Sequence, residues 1–333
     1  MKKNMIKKIL VVGLGSIGTR HVSNLINIGC NLGIYSYQNR IISSEKGITY
    51  EPNLSNDVLK KYDAIVIANS TEKHLVVASM CVEENKPFYI EKPLSNNFEG
   101  IDSINRKIIK EKLHTKVGYM MRAHPNLLFI KDFIKKNQRK IYHVTSTVGQ
   151  WLPDWRPNTD YRKCYSAFSE YGGGVIYELI HELDTSYWLF GEIDELFCFK
   201  DKVSDLEVNT EDFAQIIMKT KAGFTIDVKL DYLKSVYKRD IEIIMDGMLI
   251  FWNFVEGTVT LIDKLNPKGV IIHQTSENFT RNSMFVDLMG QFLDELDGNI
   301  LKSKQISFSE GIYSMMLAVK AHESAKQKKW VKI

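Results

Sequence analysis

Cysteine and proline are scarce in this chain, at four and seven of 333 residues. Cys30, Cys81, Cys164 and Cys198 are scattered without metal-ligand spacing, which argues against a cysteine-built metal centre and fits a reducing compartment. Charge of either sign is in no large excess. The net charge is +4, with lysines gathered at the termini and near Lys135–Lys140, so solvated faces are expected rather than a nucleic-acid stripe. No run approaches 18 apolar residues, so no transmembrane helix is expected. Lysines do precede an apolar run at the start, as in a secretory leader. That run is only Ile9–Val12 and ends in glycines, which argues against targeting and for a cytoplasmic protein. Internal repeats and low-complexity linkers are also lacking. The length exceeds one typical core, so two domains are expected.

What is present begins at ILVVGLGSIGTRH, Ile9 to His21. Four apolar residues lead into Gly13-x-Gly15-x-x-Gly18, and a helical pattern follows. In a dinucleotide fingerprint the first glycine permits the strand-to-helix turn, the second lets backbone amides approach the pyrophosphate, and the third lets helix and strand pack closely. The helix N-terminus, at Ser16 and Ile17, offers free N–H groups and a positive dipole end to the phosphates.

Leu32–Tyr37 reads as the second strand. An acid at its end would hold the ribose 2′-OH of NAD. Ser36, Tyr37 and Gln38 stand there instead, with Arg40 close behind, so NADP is slightly favoured over NAD. Tyr62–Ala68 has the continuous apolar character of a central parallel strand and ends at Asn69-Ser70-Thr71, where a cofactor is expected, with His74 just beyond. Helix Glu72–Glu84 and strand Pro87–Ile90 follow. That strand runs into Glu91-Lys92-Pro93, where the proline ends it and aims Lys92 out of the carboxyl end, so Glu91 and Lys92 are also expected at the cofactor. Helix Asn96–Lys112 and strand Thr115–Tyr119 complete the expected parallel sheet.

Gly13–Gly18, the Asn69–His74 segment and Glu91-Lys92-Pro93 resemble the glucose–fructose oxidoreductase / inositol dehydrogenase (Gfo/Idh/MocA) family. Later segments extend the resemblance over nearly the whole chain. Val117–Arg122 is similar to the family's VGYxxR segment, Gly172-Gly173-Gly174…His181-x-x-Asp184 to its GGG…HxxD segment, and Ser309–Lys328 to its closing helix. The resemblance implies an α/β plus α+β architecture: a Rossmann-like parallel sheet over 1–120, then, over 121–333, a large mostly antiparallel sheet covered by helices on one face. The second domain is expected to bind substrate and, through the sheet's exposed face, to form a homodimer or homotetramer.

His124-Pro125 opens a helix over Asn126–Lys136, and strand Tyr142–Gln150 follows. The densest polar-aromatic stretch comes next: Trp151 to Arg156, then Asp160-Tyr161-Arg162 and Tyr165. Aromatic faces and forked guanidiniums suit a sugar ring bearing an anion, which nominates Trp155, Arg156, Tyr161, Arg162 and Tyr165, with Arg122 from the sixth strand's end. The alternative is a rigid loop that satisfies itself, with Trp151 and Trp155 as its core and Asp154 and Asp160 as partners for its arginines.

A helix is expected over Ile176–Phe190, with Glu178, His181, Glu182 and Asp184 or Thr185 on one face. A histidine flanked by carboxylates can be held in one tautomer with a tuned pKa. Metal readings are set aside: Glu178-x-x-His181 lacks the partner helices of a di-iron bundle, and Thr185 stands where a zincin needs its second histidine. The family usually carries Asp where this chain has Glu178, often with one residue more before the histidine. Alternation over Gly223–Tyr232, the hairpin Arg239–Met245 and Met248–Phe254 through Asp246-Gly247, and strands Gly257–Asp263 and Gly269–Thr275 describe the second sheet. Helices Ser283–Leu296 and Ser309–Lys328 close the chain.

The resemblance implies an NAD(P)-dependent oxidoreductase moving a hydride to or from a carbinol carbon of a sugar-like substrate. Lys92 would hydrogen-bond the reacting oxygen and His181 would serve as general acid/base, roles that could be exchanged. The aromatic-arginine stretch favours an anionic or nucleotide-linked sugar of surface-polysaccharide metabolism. Alternatives are a dehydrogenase for free polyols or inositols, and a non-catalytic cofactor-sensing regulator.

Overall fold

The computed structural model describes residues 7–37, 47–156, 158–299 and 306–333. Arg40, nominated above for a 2′-phosphate, lies outside them. The chain divides into two compact units, Met1–Met120 with Thr280–Ile312, and Met121–Phe279 with Tyr313–Ile333.

The first unit runs β1 (Lys8–Val12), α1 (Ser16–Ile28), β2 (Asn31–Tyr35), β3 (Ile48–Tyr50), α2 (Asn56–Lys60), β4 (Ala64–Ile67), α3 (His74–Glu83), β5 (Phe88–Ile90), α4 (Ile101–Glu111) and β6 (Thr115–Val117). All six strands are parallel, in the order β3-β2-β1-β4-β5-β6. Ile9–Val12 and Ala64–Ile67 are completely buried, as strands covered on both faces must be. The order reverses between β1 and β4, the switch point beside which such sheets bind ligands at their carboxyl ends.

The second unit carries α5 (Pro125–Asn137), β7 (Ile141–Gly149), α6 (Val175–Glu178), α7 (His181–Phe190), β8 (Ile193–Asp201), β9 (Phe213–Thr220), β10 (Thr225–Asp231), β11 (Lys238–Met245), β12 (Met248–Asn253), β13 (Thr258–Asp263) and β14 (Val270–Gln274). Then come α8 (Arg281–Leu296), α9 (Phe308–Gln327) and β15 (Val331–Lys332). Its nine-stranded sheet, β14-β13-β12-β11-β7-β10-β9-β8-β15, is antiparallel except for β7 with β10.

Sequence periodicity assigns all of 121–333 to the second domain, but α8 belongs to the first unit. Its Met289, Phe292 and Leu293 join Ile9, Val11, Val22 and Leu25 in one buried cluster. An apolar stripe shows that a helix is buried, not which core receives it. The expected Ile176–Phe190 helix is also interrupted. Leu179 leaves helical geometry (φ −103°, ψ 25°), so α6 ends at Glu178 and α7 begins at His181. Glu178 and His181 therefore do not share one continuous helical stripe. Helix α4 starts at Ile101 rather than Asn96.

Candidate active site

The three fingerprint glycines divide by what surrounds them. Gly13 has φ +105°, and a Cβ there would come within 2.5 Å of the Asn69 backbone. A Cβ on Gly18 would overlap the Gly13 carbonyl. Both are demanded by the fold itself. Gly15 is different: its φ of −71° suits any residue, and a Cβ would meet nothing within 4 Å. Gly15 and Ser16 are exposed at the α1 N-terminus, Ile17 is half-buried, and the N-cap residue, Gly15, has no side chain with which to cap the first turn. An open cradle of backbone N–H groups is what a pyrophosphate requires, so these residues fit a dinucleotide.

Tyr37, 44% exposed, follows the end of β2 beside the half-buried Ser36, and the Lys73 ammonium lies 4.2 Å from its ring centroid. Ser70 is half-buried and Thr71 buried at the carboxyl end of β4. Apart from a contact with the Tyr37 hydroxyl, the buried carboxamide atoms of Asn69 have no hydrogen-bond partner among the described residues. Orphaned polar atoms at this position are a second feature that suits a ligand.

Two residues expected at the cofactor sit deeper. His74 is 1% exposed, with Nδ1 2.8 Å from the Pro93 carbonyl and Nε2 3.1 Å from the Asn69 carbonyl. Burial pushes its pKa down. Glu91 is 6% exposed, and its Oε1 lies 2.7 Å from Nε2 of the buried His21. A Cβ on Gly118 would come within 2.7 Å of that carboxylate, so a glycine there lets Glu91 fit. Between them stands half-buried Lys92, its amide donating to Glu91 Oε2 at 3.3 Å, with a cis bond to Pro93. His21 was not nominated from sequence. The available signal was its place three residues after Gly18, on the same buried face of α1.

In the second unit, His181 opens α7 and is 5% exposed, and Glu178 ends α6 at 6%. Three glycines bring the chain into α6, and a Cβ on Gly174 would overlap Thr210 and Glu211. Ser166, also not nominated, links two expected residues. Its hydroxyl donates to Glu178 Oε2 at 3.3 Å and faces Arg156 Nη1 at 3.2 Å. The Arg156 guanidinium also lies 5.3 Å from the Tyr165 ring centroid. Tyr165 is partly exposed, but burial of its hydroxyl and then the Glu178 charge raise its pKa.

Other nominated residues are committed elsewhere within the unit. Arg122 makes a bidentate pair with Asp184, which is fully buried and also accepts from Ser314 at 2.8 Å. Exposed Arg162 pairs with Asp160 at 2.9 Å and Glu207 at 3.1 Å. Trp155 donates to the Gln150 carbonyl and packs edge-on against buried Tyr232. Tyr161 accepts from the Glu207 amide. The guanidiniums of Arg122 and Arg162 and the indole N–H of Trp155 thus have partners within the unit. Among the described residues, no group of three or more His, Cys, Asp or Glu could hold a metal, and no helix is long and apolar enough to cross a membrane.

Comparison with known proteins agrees with this geometry. Residues 7–119 match the family model described as an oxidoreductase family with an NAD-binding Rossmann fold, and residues 139–248 match the GFO/IDH/MocA C-terminal domain. A myo-inositol 2-dehydrogenase of Thermotoga maritima is 24% identical over 98% of both chains. In fold, the chain is similar to an inositol dehydrogenase homologue from Azotobacter vinelandii solved with NAD+. That match has a TM-score of 0.85 at 14% identity, covering 100% of this chain and 98% of the other. It is also similar to the WlbA dehydrogenase of Bordetella pertussis solved with NADH and UDP-GlcNAcA, with a TM-score of 0.81 at 17% identity and 99% of each chain covered.

Proposed function

The chain belongs to the GFO/IDH/MocA family of NAD-binding oxidoreductases, and from that premise we propose that it interconverts an alcohol and a carbonyl on a neutral, inositol-like polyol. The observation that carries the choice of substrate is the internal pairing of Arg122 with Asp184 and of Arg162 with Asp160 and Glu207. Guanidiniums already matched by carboxylates have little left for a remote anion. The naming of the Thermotoga relative supports the same class.

NAD, when bound, accepts or supplies the hydride at nicotinamide C4. Gly15, Ser16 and Ile17 present N–H groups to its pyrophosphate, and Asn69 supplies an amide at the carboxyl end of β4. We assign Lys92 to hydrogen-bond the reacting oxygen and stabilise developing negative charge, and His181 to take or return the hydroxyl proton. Glu178, held by Ser166, is assigned to the substrate's remaining hydroxyls. Substrate recognition is assigned to the second unit. Exposed Phe199, Ile244 and Ile271 on its sheet support self-association there.

A second reading, an anionic or nucleotide-linked sugar, keeps one observation in its favour. Arg156 is half-buried, and among the contacts above its partners are a neutral hydroxyl and an aromatic ring. NADP in place of NAD rests on the missing acid after Tyr35, on Arg40 and on the cation at Lys73. The deciding experiment screens free polyols, inositols and UDP-sugars with each cofactor, following the reduced cofactor at its own absorbance. Turnover of UDP-sugars alone would replace the polyol reading.

A further inference from the structure

We infer that His74 is a positioning residue for Lys92: its buried imidazole ties the turn after β5 to the turn after β4 and so sets where the lysine ammonium stands. The inference deepens the proposed function and rests on Lys92 acting in it.

The turn after β5 has few handles by which the protein can hold it. Pro93 has no N–H, so its carbonyl is the polar backbone group it can offer. His74 Nδ1 meets that carbonyl at 2.8 Å. On the other side the Lys92 amide donates to Glu91, whose carboxylate is held by His21. The residue between is thus fixed from both flanks by buried groups, while its own side chain remains half-buried. His74 also opens α3, and its second nitrogen faces the carbonyl of Asn69 at 3.1 Å. One ring therefore touches both the segment assigned to the cofactor and the segment carrying the lysine.

The chemistry assigns the proton. Burial pushes the pKa of the ring down, while the two carbonyls it faces and Glu91 oppose that shift. The Pro93 carbonyl can only accept, and at the shorter distance Nδ1 is its donor. Both ring nitrogens face backbone carbonyls and the ring is 1% exposed. That placement assigns His74 to the support of the site. A residue that merely filled space would be replaceable by any side chain of similar volume, whereas a positioning donor has a required atom.

Three variants separate these cases. His74→Asn keeps a donor near Nδ1, His74→Gln keeps one near Nε2, and His74→Leu removes both. The readout is the pH-dependent acetylation of Lys92 by acetic anhydride, quantified by peptide mass spectrometry with and without NADH, alongside NADH affinity by fluorescence titration. The expected result is a shift of roughly five-fold in Lys92 labelling in the Leu and Gln variants, the scale of one lost hydrogen bond. The Asn variant should return close to wild type. Labelling unchanged in all three, or Asn and Gln variants that behave alike, would overturn the proposal. Should the Leu variant fail to fold, the Asn–Gln contrast decides it alone. Absence of turnover by the wild-type enzyme on any polyol would count against the proposed function, while the labelling result would stand.

Discussion

Arg122 and Asp184 meet fork to fork, Nε to Oδ2 at 2.9 Å and Nη2 to Oδ1 at 2.8 Å, with the carboxylate wholly out of solvent. Removing one member of such a pair leaves an uncompensated buried charge, which costs about 3–5 kcal/mol. Asp184→Asn and Arg122→Ala should each lower unfolding free energy by that order, measured by denaturant titration. If Arg122 instead gripped substrate, Arg122→Ala would raise KM and leave stability nearly intact.

The fingerprint glycines predict opposite failures. Gly15→Val adds a side chain into open space at an ordinary backbone conformation, so the protein should fold normally and lose NADH binding. Gly18→Ala drives a methyl group into the Gly13 carbonyl and should destabilise by roughly 1–3 kcal/mol, as overpacking does. Calorimetry with NADH and thermal melts distinguish them. A folded Gly15→Val variant with wild-type affinity would remove the cradle from the cofactor assignment.

Lys92→Met and His181→Ala should each reduce turnover by roughly 10²–10⁴-fold, the usual scale of acid–base contributions, with NADH affinity retained. A variant of near-full activity on the true substrate would withdraw its residue from the mechanism.

Much of the first unit was legible because its strands are buried on both faces. Continuous apolar runs ending in glycine, Asn69 or Pro93 announce both the strand and its functional end. The second sheet's half-exposed strands β10 to β14 were legible by alternation. Helix α8 was assigned to the wrong core, because the chain returns to the first unit after crossing the second and no local pattern encodes a return. The α6–α7 break was also hidden, since the residues spanning it, Leu179 and Ile180, are as apolar as a continuous helix would require. In loop 151–165 the aromatic and arginine content is legible, but whether a guanidinium faces ligand or a neighbouring aspartate depends on the fold of the loop.

His322 predicts an acid-sensitive contribution to stability. Its ring is stacked on Tyr177, and its Nδ1 accepts from Lys200 at 2.7 Å. Burial lowers its pKa to about 4, a drop that Glu211 only partly offsets. The unfolded chain, with an ordinary histidine pKa near 6.5, then binds a proton at higher pH than the native state does. Stability from this group is therefore complete above about pH 6.5 and is lost as pH falls toward 4, by roughly 3 kcal/mol. His124, pushed down to about 3 by burial and then by Arg239, adds slope of the same sign. Unfolding free energy measured across this window should fall less steeply in His322→Gln than in wild type. Parallel curves would show that the ring is not held neutral.

Arg156 and Arg162 give the sharpest test of substrate charge. Arg162 is exposed, and its charge is met by Asp160 and Glu207. Exposed pairs of this kind contribute at most about 1 kcal/mol. Arg162→Ala should therefore change stability and KM little at any ionic strength. Arg156 is half-buried beside Tyr165, Ser166 and Glu178, so its loss disturbs the group that holds Glu178. For a neutral polyol, Arg156→Ala should change kcat and KM together, because Glu178 loses its support. Salt should have little influence on either value. For a substrate bearing a remote phosphate or carboxylate, Arg156 would bind ground and transition states equally. KM would then rise alone and wild-type KM would climb with salt. Steady-state kinetics of both variants at low and high salt separate the cases. A salt-sensitive KM that Arg156→Ala abolishes would replace the neutral polyol with an anionic sugar.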